Sequence, residues 1–190
     1  MRDRLGVVHG RFQLLHNEHV KYILAAKARC DHLIVGICNP DVTLTKYVAE
    51  NPHRSQIASN PFTYFERYQM IQGTMLDNGI TLNEFDIVPF PINYPELIFN
   101  YVPSESTFYM TIYDDWGKKK KKALEDIGCH VEVMWQKDIS EKSLSGTDVR
   151  LCIRMKMDWK QYVPNFVYQY IQQNHLDDRI RQYISMNEHI

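Results

Sequence analysis

The residues best suited to chemistry lie close together near the start of the chain. His16 and His19 are three positions apart, so on a helix they share one face. They follow Gly10-Arg11-Phe12-Gln13-Leu14-Leu15 and precede a helical pattern, Val20 to Arg29. A short apolar run, Leu5 to His9, stands before them. Strand, glycine turn and helix in that order aim free backbone N–H groups and the positive end of a helix dipole at one point. Arg11 adds a fixed positive charge. Two imidazoles, a guanidinium and a helix N-terminus are donors for a polyphosphate, and no nucleophilic side chain stands among them.

A second group of donors lies at Leu144-Ser145-Gly146-Thr147-Asp148-Val149-Arg150. Ser145 and Asp148 have the spacing of a capping box, which starts a helix. A capped N-terminus built from small residues is also a phosphate cradle, with Arg150 projecting from its first turns. A third group, Asn60-Pro61-Phe62-Thr63-Tyr64-Phe65-Glu66-Arg67, opens another helix, with Arg67 four residues after Thr63 on the same face. Glu66 either orients an arginine or forms an ordinary surface pair. The basic run Lys118 to Lys122 reads as a solvated helix face, with Ala123, Leu124 and Ile127 on the buried side.

Three of these stretches, in order, resemble signatures of the nucleotidylyltransferase superfamily. Gly10 to His19 resembles "GRFQPxHxGH", the form found in archaeal-type nicotinamide mononucleotide (NMN) adenylyltransferases. Asn60 to Arg67 resembles "NPFTxxER", and Leu144 to Arg150 resembles "ISxTxxR". Between them Pro89-Phe90-Pro91-Ile92-Asn93 resembles "PxPDIN". The resemblance implies transfer of a nucleoside monophosphate from a nucleoside triphosphate (NTP) to a small phosphate-bearing acceptor, with release of pyrophosphate. Mg²⁺ would accompany the NTP, with no metal held by the protein alone. His16, His19, Arg11 and Arg150 are the implied catalytic residues, His19 being the candidate for transition-state stabilisation. Gly10, Phe12, Ser145 and Thr147 join them as nucleotide-binding residues. Arg67, Asn93, Phe99, Asp114 and Trp116 are the implied acceptor-binding set.

Three departures from the pattern bear on substrate. Glu18 replaces the glycine of HxGH, where glycine allows close approach of the nucleotide. It is therefore the candidate specificity residue. Ile92 to Phe99 lacks the tryptophan that stacks on nicotinamide in the NMN enzymes, leaving Ile98 and Phe99 at that place. Thr111-Ile112-Tyr113-Asp114-Asp115-Trp116 replaces "TGN", and Trp116 is a substitute stacking residue. The nearest family implies ATP and NMN as substrates. The alternative is a cytidylyltransferase using CTP and a small phosphate or phosphonate. A third reading is a nucleotide-binding sensor without catalysis.

The elements that must position these residues follow from strand-helix alternation. Leu33 to Ile37, Phe85 to Val88, Phe108 to Ile112 and Val131 to Trp135 read as further strands. Helical patterns cover Phe62 to Leu76, Glu96 to Tyr101 and Lys118 to Ile127. This predicts an α/β, Rossmann-like, doubly wound parallel sheet of about five strands, its crevice at the strand ends near Gly10 and Asn39. One domain spans 1–190, with a core of about 5–150 and a helical appendage over about 151–190. The long segment from Asn39 to Asn60 is a loop whose Lys46, His53 and Arg54 would reach phosphates if it closed as a lid.

A 44% hydrophobic content and 12% aromatics exclude a disordered chain. A formal net charge of −1 gives no electrostatic case for nucleic acid or an anionic membrane as partner. No apolar run reaches transmembrane length, and no signal peptide is expected before the strand at Leu5. Cys30, Cys38, Cys129 and Cys152 lack metal-type spacing and read as reduced thiols of a cytoplasmic protein. A homo-oligomer is compatible with the aromatic C-terminal helices, though no residue specifies one.

Overall fold

The apolar, β-branched runs form one five-stranded sheet. Its strands are β1 (Asp3–Gly10), β2 (Cys30–Cys38), β3 (Phe85–Phe90), β4 (Thr107–Ile112) and β5 (His130–Gln136), in the spatial order β3-β2-β1-β4-β5. Every pairing is parallel. The computed structural model describes residues 2–41, 59–141 and 143–185. The lid expectation for Lys46, His53 and Arg54 lies outside those residues. The chain winds from β1 through β2 to β3, then returns to β4 and β5 on the other side. The order therefore reverses between β1 and β4, and a crevice forms at such a switch point. Register sharpens this. β1 pairs with β2 as far as Gly10 opposite Ile37, whereas its pairs with β4 are Gly6–Thr107 and Val7–Phe108. Beyond Val7 the two strands part.

Alternation along β1 sends Val8 to one face and Val7 to the other. Val8 joins Leu14, Leu33, Val35 and Met70 in a core covered by helices α1 (Asn17–Lys27) and α2 (Tyr64–Asp77). Val7 joins Ile34, Phe90, Phe108 and Leu124, the last from helix α3 (Asp115–Asp126). Helices on both faces make the winding double, as the alternation predicts.

Caps set the helix starts. α2 begins at Tyr64 and not at Phe62, because the Thr63 hydroxyl accepts the Glu66 N–H at 3.2 Å while Glu66 Oε2 accepts the Thr63 N–H at 2.8 Å. Phe62 is left outside the helix as a buried core residue. Asp114 starts α3 by accepting the Gly117 N–H at 2.8 Å. The helical pattern after Tyr94 is a 3₁₀ segment, Pro95–Asn100, since a run this short closes i→i+3 bonds.

The C-terminal helices α4 (Gly146–Arg154), α5 (Asn165–Gln173) and α6 (Leu176–Ser185) extend the Val8 core. Val149, Ile153, Val167, Ile171, Leu176 and Ile180 are all buried in it. Arg179 of α6 donates to Glu66 Oε2 at 2.7 Å and to the Pro61 carbonyl at 3.2 Å. The arginine that Glu66 orients is thus Arg179. No described helix is long and apolar enough to cross a membrane.

Candidate active site

The turn after β1 is folded tightly on itself. Phe12 adopts a left-handed backbone, φ +48°, and its ring lies back over Gly10. A Cβ at position 10 would stand 2.8 Å from that ring, so this turn requires glycine there. Gln13, 5% exposed, then fastens the turn to a distant segment. Its Nε2 donates to the Phe62 carbonyl at 3.0 Å and its Oε1 accepts the Phe62 N–H at 2.9 Å.

Arg67 secures the same turn from inside. It is 1% exposed, and its guanidinium donates four hydrogen bonds to backbone carbonyls. Nε donates to Thr63 at 3.1 Å, Nη1 to Arg11 at 2.9 Å and Cys38 at 2.8 Å, and Nη2 to Asn39 at 2.8 Å. Asn39 is also left-handed, φ +49°. One guanidinium therefore ties the residue after β1 to the end of β2 and to Asn39 beside it. Burial pushes its pKa down to about 10, which leaves it cationic at neutral pH.

His16 is the N-cap residue of α1, and its carbonyl accepts the Val20 N–H at 3.1 Å. Its ring stacks on His19, with centroids 3.7 Å apart and planes 22° apart. Phe12 meets the His19 ring edge-on at 5.1 Å. The column Phe12–His19–His16 stands at the start of α1, where backbone N–H groups lack helical partners.

The N-terminus of α4 faces this column across the turn. Ser145 caps α4 through the expected box, its N–H bonded to Asp148 Oδ2 at 2.8 Å. Arg150 donates from Nη1 to the Gln13 carbonyl and from Nη2 to Thr147 Oγ1 at 3.1 Å. A Cβ on Gly146 would lie 3.3 Å from that Gln13 carbonyl oxygen, a tight approach that glycine relieves. Burial lowers the Arg150 pKa to about 10, and the guanidinium stays charged. The N-terminus of α4 and the turn before α1 are thereby joined through one half-buried cation.

These groups line a cleft of about 300 Å³ at the parted ends of β1 and β4. Of the residues singled out in the sequence, Gly10, Arg11, Phe12, His16, Glu18, His19, Asn93, Trp116, Ser145, Thr147 and Arg150 all line it. Three others do not. Arg67 lies behind the wall, engaged with carbonyls. Asp114 spends its carboxylate on the α3 cap. Phe99 sits in the 3₁₀ segment, 39% exposed and outside the cleft lining. Glu18 stands at the rim, ion-paired with Lys21. Tyr113, also at the rim, has its phenol pKa raised by burial first and then by the Glu18 charge.

Sequence reasoning missed His9, Gln13, Tyr113 and Lys120, which also line the cleft. His9 offered one signal, a polar residue ending an apolar strand. Its ring is stacked on Phe90 at 4.7 Å with planes 10° apart. Burial, reinforced by the Lys120 charge, drops its pKa to about 3, so it is neutral at physiological pH. In the basic run, Lys118, Lys121 and Lys122 pair with Asp115, Glu125 and Asp126 of their own helix. Lys120 reaches the cleft.

Residues 7–151 match the family model described as cytidylyltransferase-like. A phosphonoformate cytidylyltransferase from Streptomyces viridochromogenes is 40% identical over 176 residues, 93% of this chain and 95% of that protein. A nicotinamide-nucleotide adenylyltransferase from Saccharolobus solfataricus is 25% identical over 183 residues, 96% of this chain and 98% of that protein. Among solved structures, a bifunctional NMN adenylyltransferase/ADP ribose pyrophosphatase from Francisella tularensis, complexed with AMP and a Mn ion, superposes with a TM-score of 0.62 at 18% identity. That superposition covers 99% of this chain and 54% of the Francisella chain, so this chain spans about half its length, and the likeness is one of fold. With a matched model over most of its length and a relative sharing two residues in five, the chain belongs to the cytidylyltransferase-like family of nucleotidyltransferases.

Proposed function

We propose that this protein is a cytidylyltransferase that moves CMP from CTP to a small phosphonate or phosphate anion, with release of pyrophosphate. The observation that carries the reading is the 40% identity to a phosphonoformate cytidylyltransferase along nearly the whole of both chains. In the reaction an anionic oxygen of the acceptor attacks the α-phosphorus of CTP. A P–O bond forms there as the bond to the β-phosphate oxygen breaks, and pyrophosphate leaves with that electron pair. No proton needs to be removed from an acceptor oxygen already ionised, which suits a cleft of donors without a dedicated base.

The protein's task is to align two anions that repel each other and to stabilise charge as it shifts toward the leaving group. The α1 N-terminus with His16 and His19 takes the triphosphate. His19, braced between Phe12 and His16, is oriented to meet charge developing on the α- and β-phosphates. Ser145, Thr147 and the α4 N-terminus take the terminal phosphates, and Arg11 lies between the reacting groups. Among the described residues, no cluster of three or more His, Cys, Asp or Glu side chains is placed to hold a metal ion. These donors fit a triphosphate that brings its own cation. Mg²⁺, when bound with CTP, supplies further neutralisation of the phosphate oxygens.

A second reading, ATP and NMN, is favoured by the archaeal relatives and by Trp116, which lines the cleft and offers a stacking face. A matrix of ATP, CTP, GTP and UTP against NMN, nicotinate mononucleotide, phosphonoformate and inorganic phosphate separates the two. Pyrophosphate release is measured and products are read by mass. A CMP–phosphonoformate adduct as the main product supports the proposal. NAD formed with higher kcat/KM would overturn it, and nucleotide binding without any product would favour a sensor.

A further inference from the structure

The two sides of the cleft differ in chemistry, and the donors proposed for the triphosphate belong to helices α1 and α4 on the Val8 side of the sheet. By strand alternation His9 shares the face of Val7, which α3 covers, whereas α1 lies on the Val8 face. His9 is 9% exposed, and its Nδ1 is sealed off without a hydrogen-bond partner. Its ring is locked flat against Phe90. A sealed N–H without an acceptor is rarer in proteins than a sealed lone pair, so the proton belongs on Nε2. Because His9 lines the cleft while Nδ1 is closed off from it, Nε2 is the nitrogen a ligand meets.

Lys120 brings an ammonium to the same region, and Asn93 adds a side-chain amide. A neutral imidazole N–H beside a lysine cation is a site for an anionic oxygen and repels a cationic ring. We infer that His9 and Lys120 form a second anion subsite for the acceptor, holding a carboxylate or comparable anionic group attached to the phosphonate that attacks CTP. His9 and Lys120 are thus specificity-determining residues. They select small acceptors with two anionic ends over simple phosphonates and over a pyridinium nucleotide. The inference rests on the cytidylyltransferase reading for the identity of the acceptor, but the subsite can be measured without turnover.

The test compares binding of phosphonoformate and methylphosphonate by calorimetry to the wild-type protein, Lys120→Gln and His9→Gln. The wild type is expected to bind phosphonoformate at least about tenfold more tightly, a difference of about 1.4 kcal/mol. Each variant should lose most of that preference while keeping its affinity for CTP and for methylphosphonate. In the wild type, ¹⁵N spectra should show His9 protonated on Nε2 and shifted by phosphonoformate, a response that a merely structural histidine would not give. An unchanged preference in both variants, or none in the wild type, overturns the subsite. A wild-type protein that shows the preference yet makes no CMP adduct overturns the cytidylyltransferase reading instead and leaves the subsite standing.

Discussion

Arg150 and Gln13, 137 positions apart in the chain, meet where the Arg150 guanidinium donates to the Gln13 backbone carbonyl. The bond joins the N-terminus of α4 to the turn that precedes α1, so the two helix N-termini at the cleft are held in one geometry. Arg150→Lys should therefore be nearly as damaging as Arg150→Ala, because an ammonium cannot reproduce the planar two-nitrogen reach to Gln13 and Thr147. Both should lower kcat by about 100-fold, the scale for losing one well-aimed donor. Steady-state kinetics check this, and a lysine variant close to wild type would count against the bridge.

His19 carries a sharper expectation. His19→Ala removes the ring between Phe12 and His16 yet leaves the backbone of α1 in place. Turnover should fall by about 10²–10³-fold with little change in the thermal midpoint. Turnover near the wild-type level would remove His19 from the chemistry.

Arg67 should behave as a structural residue with functional consequences. Arg67→Lys leaves at least one of four carbonyl contacts unmade, one of them buried and three part-buried, since an ammonium has three donors in a compact fan. The expected loss of stability is about 3 kcal/mol, from stranded carbonyls at the ends of β1 and β2. Urea titration of both proteins measures it, and a loss below about 1 kcal/mol would show the clamp to be dispensable.

Glu18 sits at the rim between Lys21 and Tyr113, where the family pattern has glycine. Removing its carboxylate opens that edge of the cleft and changes the charge met by a base. Glu18→Gly should alter the ratio of kcat/KM for CTP and ATP by about fivefold or more, the scale of a single polar contact. An unchanged ratio in competition assays would separate Glu18 from base choice.

His9 makes stability depend on pH. Its folded-state pKa is about 3 against 6.5 for the free side chain, so between those values the unfolded chain binds more protons. Stability from this group is complete above pH 6.5 and is lost as pH falls toward 3. The slope it can contribute is at most about 1.4 kcal/mol per pH unit. His9→Phe should flatten the acid limb of a stability–pH curve measured by urea unfolding, and an unaltered limb would mean that the imidazole titrates normally.

Much of this architecture is legible in local pattern. β-branched runs separated by amphipathic stretches announce a parallel sheet with helices on both faces. Ser145 with Asp148 and Thr63 with Glu66 announce their helix starts at a spacing of three. Gly10 with His16 and His19 announces a tight turn that brings two imidazoles to a helix N-terminus. Each of these depends on neighbours within a few residues, where backbone geometry dictates which side chains share a face. The family resemblance adds the reaction class but not ATP or CTP, and the direction in space of a single departure such as Glu18 is not a local property.

Tertiary structure alone decided the partners. Arg67, placed by its motif among acceptor residues, turns inward because three carbonyls from 28, 29 and 56 residues away converge on it. Glu66 orients Arg179, 113 positions on, since α6 packs where its own neighbour cannot reach. Phe99 falls outside the cleft because Pro95 starts a 3₁₀ turn that directs Ile98 into the core. His9 and Lys120, ordinary in sequence, reach the same cleft when α3 packs on β4, the strand beside β1. Sequence by itself determined the elements and the donors, since those follow from short-range sterics and hydrogen bonding. Which donors face the cleft and which hold its walls depends on contacts between segments that only packing brings together.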